Sequence, residues 1–409
     1  MQIRRSDRMN DVKYDLRGPI SQEAERMERS GIEIIKLNTG NPAEFGFETP
    51  EPVLRALREQ AHMAAAYSTS KGIWDAREAV AEYCERRGIP GVSPEHVYTG
   101  NGVSEMIMVS LQALLNPGDE VLVPCPDYPL WTGSVNMCGG RAMHYLCDEQ
   151  RDWQPNLEHM RSLISPRTRA IVIINPNNPT GAVYPRETLE QIVQMAREHE
   201  LLLLSDEIYD RLLMDGEQHI PTASLAPDLP VITYNGLSKS HQICGYRCGW
   251  MSVGGNLSGM QDYLDGLITL CSMRLCSNVL AQAAIRPALE DSSGIDAYIA
   301  PGGRLHTQRS IAHEMLNEID GVSAVKSRAG LYMFPKLDGE LLGIHDDAQF
   351  VLDFLRAEHV LLTHGSSYLW PKRDHFRIVY LPPEQQLIDV MGRLKRFLSS
   401  YDQRKSMAI

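Results

Sequence analysis

Between Glu95 and Val253 the chain alternates short apolar runs with stretches of helical periodicity. The runs are His96–Thr99, Glu120–Pro124, Ala170–Ile174, Leu201–Ser205, Val231–Asn235 and Gly249–Val253. Between the first two, Val103, Ile107, Leu111, Leu114 and Leu115 share one helical face, and Asn116-Pro117-Gly118 ends that helix. Leu189, Ile192, Val193 and Ala196 repeat the pattern after Pro185, which suits a first helical turn. Strands alternating with helices predict an α/β architecture on a mostly parallel sheet. Ala170–Ile174 and Leu201–Leu204 are apolar at every position, as expected of strands covered by helices on both faces. Ligands collect at the C-terminal ends of such strands. The residues that follow the two runs are therefore informative: Asn175-Pro176-Asn177-Asn178-Pro179-Thr180-Gly181 and Asp206-Glu207-Ile208-Tyr209.

Beyond Gly303 the pattern changes. Helical stretches near Gly303–Ile319, Ala348–Glu358 and Glu384–Leu398 are interleaved with the strand-like Val322–Val325, Leu331–Pro335, Val360–Thr363 and Phe376–Leu381. This reads as a smaller α+β part. The division expected is a large domain over 46–295 and a small domain made of 1–45 with 296–409. Asp402–Ile409 reads as a loose tail.

Composition narrows the function classes. At 409 residues the chain has room for two or three domains of about 150 residues each. Hydrophobic residues at 43% and charged residues at 22% describe an ordinary globular protein. A net charge of -12 argues against a nucleic-acid binder, which needs a basic face. The positively charged N-terminal segment has no apolar stretch after it, so neither a signal peptide nor a membrane span is expected. None of the eight cysteines forms a Cys-x-x-Cys pair. Cys244 and Cys248 flank no set of four well-spaced metal donors, even with His241 beside them. Reduced thiols in a cytoplasmic protein are the expectation.

Candidate chemistry centres on Lys239, in Asn235-Gly236-Leu237-Ser238-Lys239-Ser240, just past an apolar run. A lysine that reacts as a free amine needs a lowered pKa, which burial beside a cation supplies. Arg247 follows eight residues on and offers a bidentate fork for a phosphate. Asp206 ends a buried strand, where a carboxylate is costly unless paired. A protonated ring nitrogen is a suitable partner. Tyr209 and the amide of Asn178 could both bond one further acceptor. Thr99-Gly100-Asn101-Gly102-Val103-Ser104 joins a strand to a helix, where free N–H groups bind phosphate. It lacks the third glycine of a dinucleotide-binding turn. Tyr128, in Pro126-Asp127-Tyr128-Pro129, could stack on an aromatic ligand. Each piece has an ordinary alternative: a solvated lysine, an acidic helix cap, a turn, a core tyrosine.

Their order along the chain resembles that of the class I and II aminotransferases of the pyridoxal 5′-phosphate (PLP) fold type I family, over essentially the whole length. It looks closest to the bacterial alanine aminotransferases, through Tyr14-Asp15-Leu16-Arg17-Gly18-Pro19, Leu37-Asn38-Thr39-Gly40-Asn41-Pro42, Gly100-Asn101-Gly102-Val103-Ser104-Glu105, Pro126–Trp131, Ile174–Ala182 and Met273-Arg274-Leu275-Cys276. The resemblance implies PLP held by Lys239 as a Schiff base, Asp206 on the ring nitrogen, and Tyr209 and Asn178 on the phenolate oxygen. It implies Tyr128 stacked on the ring and Val103, Ser104, Ser238 and Arg247 around the phosphate. Tyr67, in Ala66-Tyr67-Ser68, matches a tyrosine contributed across a homodimer interface. Arg377, in His375-Phe376-Arg377-Ile378, matches the arginine that clamps a substrate carboxylate, with Gly40 adding a backbone contact. Tyr14 and Arg17 match a segment that closes over the substrate.

Three positions depart from the family pattern. Gln242 and Cys248 stand where smaller or aliphatic residues are usual, and Gly236 stands where many relatives carry a phosphate-binding serine. With His241 they add bulk and polarity near the lysine and leave the substrate open. The expected activity is amino transfer between an L-amino acid and a 2-oxo acid, with alanine and 2-oxoglutarate the leading pair. The alternatives are a pathway-specific aminotransferase for a phosphonate analogue of alanine or for branched or aromatic acids, and a PLP-dependent β-lyase. A PLP-binding regulator would need an added DNA-binding module, for which there is no room before Tyr14.

Overall fold

The computed structural model describes residues 3–12, 14, 18–291 and 293–403. The chain starts its pairing with β1 (Ile35–Lys36). The central sheet then takes β2 (Val97–Asn101), β3 (Glu120–Cys125), β4 (Arg141–Asp148), β5 (Gln154–Pro155), β6 (Thr168–Ile174), β7 (Leu202–Asp206), β8 (Val231–Gly236) and β9 (Cys248–Gly254). The remaining strands are short: β10 (Val322–Ser323), β11 (Tyr332–Met333), β12 (Lys336–Leu337), β13 (Val360–Leu361), β14 (Thr363–His364) and β15 (Phe376–Val379).

The eight central strands lie in the order β2-β9-β8-β7-β6-β3-β4-β5. The pairs β3–β4, β3–β6, β6–β7 and β7–β8 are parallel. β9 runs against both its neighbours, and β5 against β4. This is the α/β sheet expected. The alternation of side chains explains the unbroken apolar runs. Ile171, Ile173 and Leu203 belong to one buried layer, while Ala170, Val172, Ile174, Leu202 and Leu204 belong to the layer on the other face. Helices Val103–Leu114 and Arg186–Glu198 form where the periodicity placed them, with Pro185 as the N-cap of the second rather than inside its first turn.

β4 and β5 are the strands of the central sheet that pattern did not reveal. β4 lies near the edge of the sheet and buries few of its side chains, so its sequence carries no unbroken apolar run.

A separate apolar core joins helices Arg304–Asn317, Asp347–Glu358 and Glu384–Leu398 to β11 and β15. It reaches the central sheet through Tyr209, Leu212 and Met214. The N-terminal strand enters this part as well, because β1 pairs in parallel with β13. The loose tail expected from Asp402 does not include Gln403. Gln403 is fully buried, accepting from the His345 and Asp346 amides at 2.7 and 2.9 Å and donating to the Asp346 carbonyl at 2.7 Å. Residues 404–409 lie outside the described set. Among the described residues no helix is long and apolar enough to cross a membrane.

Candidate active site

The C-terminal ends of β2, β3, β6, β7 and β8 share one edge of the sheet, and β9, running the other way, begins there. That reversal brings Arg247, one residue before β9, to the same edge as Asp206 and the loop after β8. Gly100, Gly249 and Gly236 stand opposite one another across β2, β9 and β8. A Cβ on Gly249 would lie 2.5 Å from the Val103 nitrogen, and one on Gly236 would lie 2.7 Å from the Cys248 carbonyl. Close backbone approach therefore demands glycine at both positions. A side chain has no space at Gly236.

This edge can bind a phosphate. Helix Val103–Leu114 starts after Gly102, whose φ of 81° favours glycine. Its first amides, those of Val103 and Ser104, have no acceptor within the helix and point at the site's corner. Arg247 holds a left-handed backbone, φ 57°, and lays its guanidinium against Gly102. A Cβ at 102 would meet Arg247 Nη2 at 2.3 Å, so this contact too requires glycine. Arg247 Nη1 donates to the Cys244 carbonyl at 3.0 Å, which fixes the fork. Ser238 is buried in the adjoining loop.

Asp206 closes β7 opposite Ile174 of β6 and Tyr234 of β8. Its carboxylate accepts from the Trp131 indole and the Ile208 amide, each at 3.3 Å. The Trp131 ring is itself wedged edge-on against Tyr234, with centroids 5.2 Å apart. Burial pushes the Asp206 carboxyl up to about 6, against the pull of those two donors. No cation bonds to it among the described residues, so this strand end can accommodate a positively charged partner. A protonated pyridine nitrogen has that chemistry, and the Asp206 environment fits PLP on this count.

Lys239 is half-buried, and its Nζ donates to the Gly40 carbonyl at 2.6 Å. The Cys244 thiol lies 3.8 Å from the same nitrogen. The expectation of a lowered pKa is not met. Burial and the Arg377 charge disfavour the ammonium, but Tyr332 and Cys244 outweigh them and the net direction is up. Arg247 is turned toward the phosphate corner and is not the cation facing this lysine.

The opposite wall is built from the small part. Arg377, on β15, donates Nη1 to Asn178 Oδ1 at 3.0 Å and Nη2 to the Asn38 carbonyl. Its guanidinium packs against two tyrosine rings, 4.2 Å from the Tyr332 centroid and 4.9 Å from that of Tyr368. Its Nε is buried without a hydrogen-bond partner. Tyr209 donates to the Tyr332 hydroxyl at 3.0 Å, its ring nearly perpendicular to that of Tyr332. Tyr209 and Asn178 thus converge on the Arg377–Tyr332 stack. This assembly can receive a carboxylate, since an arginine edge forms charge-assisted bonds to it.

Above the site the Tyr14 and Tyr128 hydroxyls stand 3.5 Å apart. Arg17 lies outside the described residues. Tyr67 is 79% exposed.

The three residues near the lysine that left the substrate open turn away from it. His241 is fully buried, bonded to the Ser240 hydroxyl and the Ala288 carbonyl at 2.8 Å each, and burial lowers its pKa to about 4. Gln242 is buried and donates to the Ser240 carbonyl at 3.0 Å. Cys248 faces the Ala281 carbonyl at 3.2 Å. His241 and Cys248 thus support the segment from Val279 to Glu290, and Gln242 braces the Ser240 backbone, rather than line the site. Sequence reading had missed Tyr332, had weighed Cys244 only as a metal donor, and had quoted Asn38 and Trp131 without a role. Only Trp131 had a local signal, following Asp127-Tyr128-Pro129 by two residues.

Comparison with known proteins agrees with this geometry. The sequence model of the family described as "Aminotransferase class I and II" matches residues 32–394. The glutamate-pyruvate aminotransferase AlaA of Escherichia coli K12 is 51% identical over 401 residues, covering 98% of this chain and 99% of that protein. An alanine aminotransferase of Mycobacterium tuberculosis H37Rv is 50% identical over 399 residues, covering 97% of this chain and 93% of that protein. A crystal structure of an aminotransferase from Escherichia coli superposes with a TM-score of 0.97 at 51% identity, covering 98% of this chain and 99% of that one.

Proposed function

The chain belongs to the class I and II aminotransferases, PLP enzymes of fold type I, and from that premise we propose that it moves an amino group between alanine and 2-oxoglutarate. The reading is supported by the names of the relatives that match nearly its full length. The observation that carries it is the meeting of Lys239, Tyr332 and Arg377 around Gly40 and Asn38, an amine facing a carboxylate clamp.

We assign Asp206 to the ring nitrogen, Tyr209 and Asn178 to the phenolate oxygen, and Tyr128 to the ring face. Val103, Ser104, Ser238 and Arg247 hold the phosphate. Bound there, PLP supplies an electron-withdrawing ring that takes up the electrons left when the Cα–H bond of an amino acid breaks. Asp206 keeps a proton on the ring nitrogen. Lys239 Nζ takes the proton from Cα as general base and later returns one as general acid. Arg377 grips the α-carboxylate, which sets Cα beside Lys239, and the Gly40 backbone adds a contact to the same carboxylate. Tyr14 roofs the bound substrate. Two substrates using one site in turn predict ping-pong kinetics.

We also propose a homodimer in which the partner subunit's Tyr67 reaches the phosphate. Tyr67, Met273 and Leu275 are large exposed side chains, the last two flanking Arg274, which bonds the Ser70 carbonyl at 3.3 Å. An apolar surface of this kind suits burial against a second copy. The domain division at about residues 45 and 295 is supported by the separate cores on either side. A cytoplasmic location is supported by eight unpaired thiols.

The test is a panel of amino donors against 2-oxoglutarate and pyruvate with purified protein. Alanine with 2-oxoglutarate should give the highest kcat/KM. A clear preference for aromatic, branched or phosphonate donors would overturn the substrate assignment. Pyruvate and ammonia from cysteine without amino transfer would overturn the reaction type.

A further inference from the structure

Tyr332 lies on β11, paired antiparallel to β15 with Tyr332 opposite Val379 and Met333 opposite Ile378. Arg377 is two residues from Val379 and so shares its face, within reach of a ring on the neighbouring strand. Its guanidinium accordingly lies 4.2 Å from the Tyr332 centroid. The hydroxyl end of the same ring makes three further contacts. It accepts from Tyr209 at 3.0 Å. It abuts Gly40 so closely that a Cβ there would lie 2.1 Å from the oxygen. It lies beside Lys239, whose Nζ donates to the carbonyl of that same Gly40 at 2.6 Å.

We propose that Tyr332 is a positioning residue for amino transfer: its ring fixes the plane of Arg377, and its hydroxyl fixes the Lys239 amine. The inference rests on the carboxylate and proton-transfer roles given above to Arg377 and Lys239, and it is independent of which amino acid reacts.

The geometry explains why one residue serves both groups. The Tyr332 and Tyr368 rings both pack against the guanidinium and restrict how it can turn toward a ligand. Asn178 and the Asn38 carbonyl take one N–H from each terminal nitrogen. The buried Nε–H has no protein acceptor. A buried donor left open is unfavourable in the protein alone, and a carboxylate satisfies it. At the other end of the ring, a phenol oxygen beside an ammonium favours the charged amine. The net upward direction for Lys239, against burial, agrees with that contact. Tyr332 therefore couples the direction of the clamp to the protonation of the base.

The test uses Tyr332→Phe and Tyr332→Leu, with thermal unfolding to verify that each is folded. In protein freed of cofactor, pyruvate binding is measured by calorimetry. In the same protein, the pH dependence of Lys239 acylation by an amine-reactive reagent is followed by peptide mass spectrometry. Tyr332→Phe should keep pyruvate affinity within about twofold, because the ring remains. Its acylation midpoint should move to lower pH, and in the loaded enzyme kcat should fall about tenfold with KM little changed. Tyr332→Leu should weaken pyruvate binding about tenfold or more. A Phe variant with the wild-type midpoint and kcat, or a Leu variant that binds pyruvate as tightly as wild type, overturns the proposal. Both cofactor-free measurements are blind to the amino donor. Their failure leaves the alanine assignment standing, and a failure of alanine as donor leaves them standing.

Discussion

Lys239 and Gly40, 199 residues apart, are joined by a 2.6 Å hydrogen bond from the lysine amine to the glycine carbonyl. The loop after β8 is thereby tied to the segment between β1 and Pro42. The same glycine has the Tyr332 hydroxyl packed against its Cα. Gly40 thus spaces the amine from the small-part wall of the site.

Gly40→Ala tests that spacing. Its methyl would stand 2.1 Å from the Tyr332 oxygen. Tyr332 is held by Tyr209 and stacked on Arg377, so it cannot swing aside without disturbing both. The expected outcome is a loss of about 1–3 kcal/mol in stability from overpacking. Activity should fall more steeply, by about tenfold or more in kcat/KM, because clamp and base move together. Thermal unfolding and steady-state kinetics on the same preparation check both parts.

Arg377→Gln removes the charge but leaves a side chain that can still bond Asn178 or the Asn38 carbonyl. Truncating one partner of a buried, hydrogen-bonded charge pair costs about 2–5 kcal/mol. kcat/KM for carboxylate donors and acceptors should drop by about 30-fold or more, and KM should rise. Unchanged kinetics would remove Arg377 from the carboxylate site.

Asp206→Asn separates stability from function. Burial raises the Asp206 carboxyl from its ordinary value to about 6 in the folded chain. For an acid with a raised folded pKa, the folded state holds the proton more tightly than the unfolded state does. Its contribution is fully present below about pH 4 and is lost as pH rises through about 6. Above that pH the ionised carboxylate costs on the order of 3 kcal/mol. In protein freed of cofactor, Asp206→Asn should therefore melt higher than wild type at pH 7 and above, and the difference should vanish below about pH 4. In the loaded enzyme the same variant should lose activity, since a neutral amide cannot hold the ring proton. A melting difference that does not depend on pH would contradict this account of Asp206.

The central strands and most site residues were legible in the sequence because each sits at a boundary between an apolar run and a polar turn. Asp206 after four leucines is the clearest case, since burial and charge conflict within five residues of sequence. Lys239 and Arg247 were readable for the same reason. Tyr332 was not, because its importance lies in contacts to residues 40, 209, 239 and 377, all distant in sequence, and a tyrosine in an apolar strand looks like core. His241, Gln242 and Cys248 misled in the other direction. Proximity to Lys239 in sequence suggested proximity in space, but the left-handed turn at Gln242, φ 58°, and the start of β9 direct all three toward the interior. Gly236 looked like a lost phosphate contact. The sheet shows it to be the residue that lets β8 approach β9.

The most direct measurement is the half-reaction. Purified protein loaded with PLP is mixed with L-alanine and no 2-oxo acid, and pyruvate and ammonia are measured per chain, with Lys239→Ala alongside. The account predicts one pyruvate per wild-type chain, no ammonia, and no pyruvate from the variant until the amine is restored. Continued release of pyruvate with ammonia, no pyruvate from wild type, or an equal yield from Lys239→Ala would contradict it.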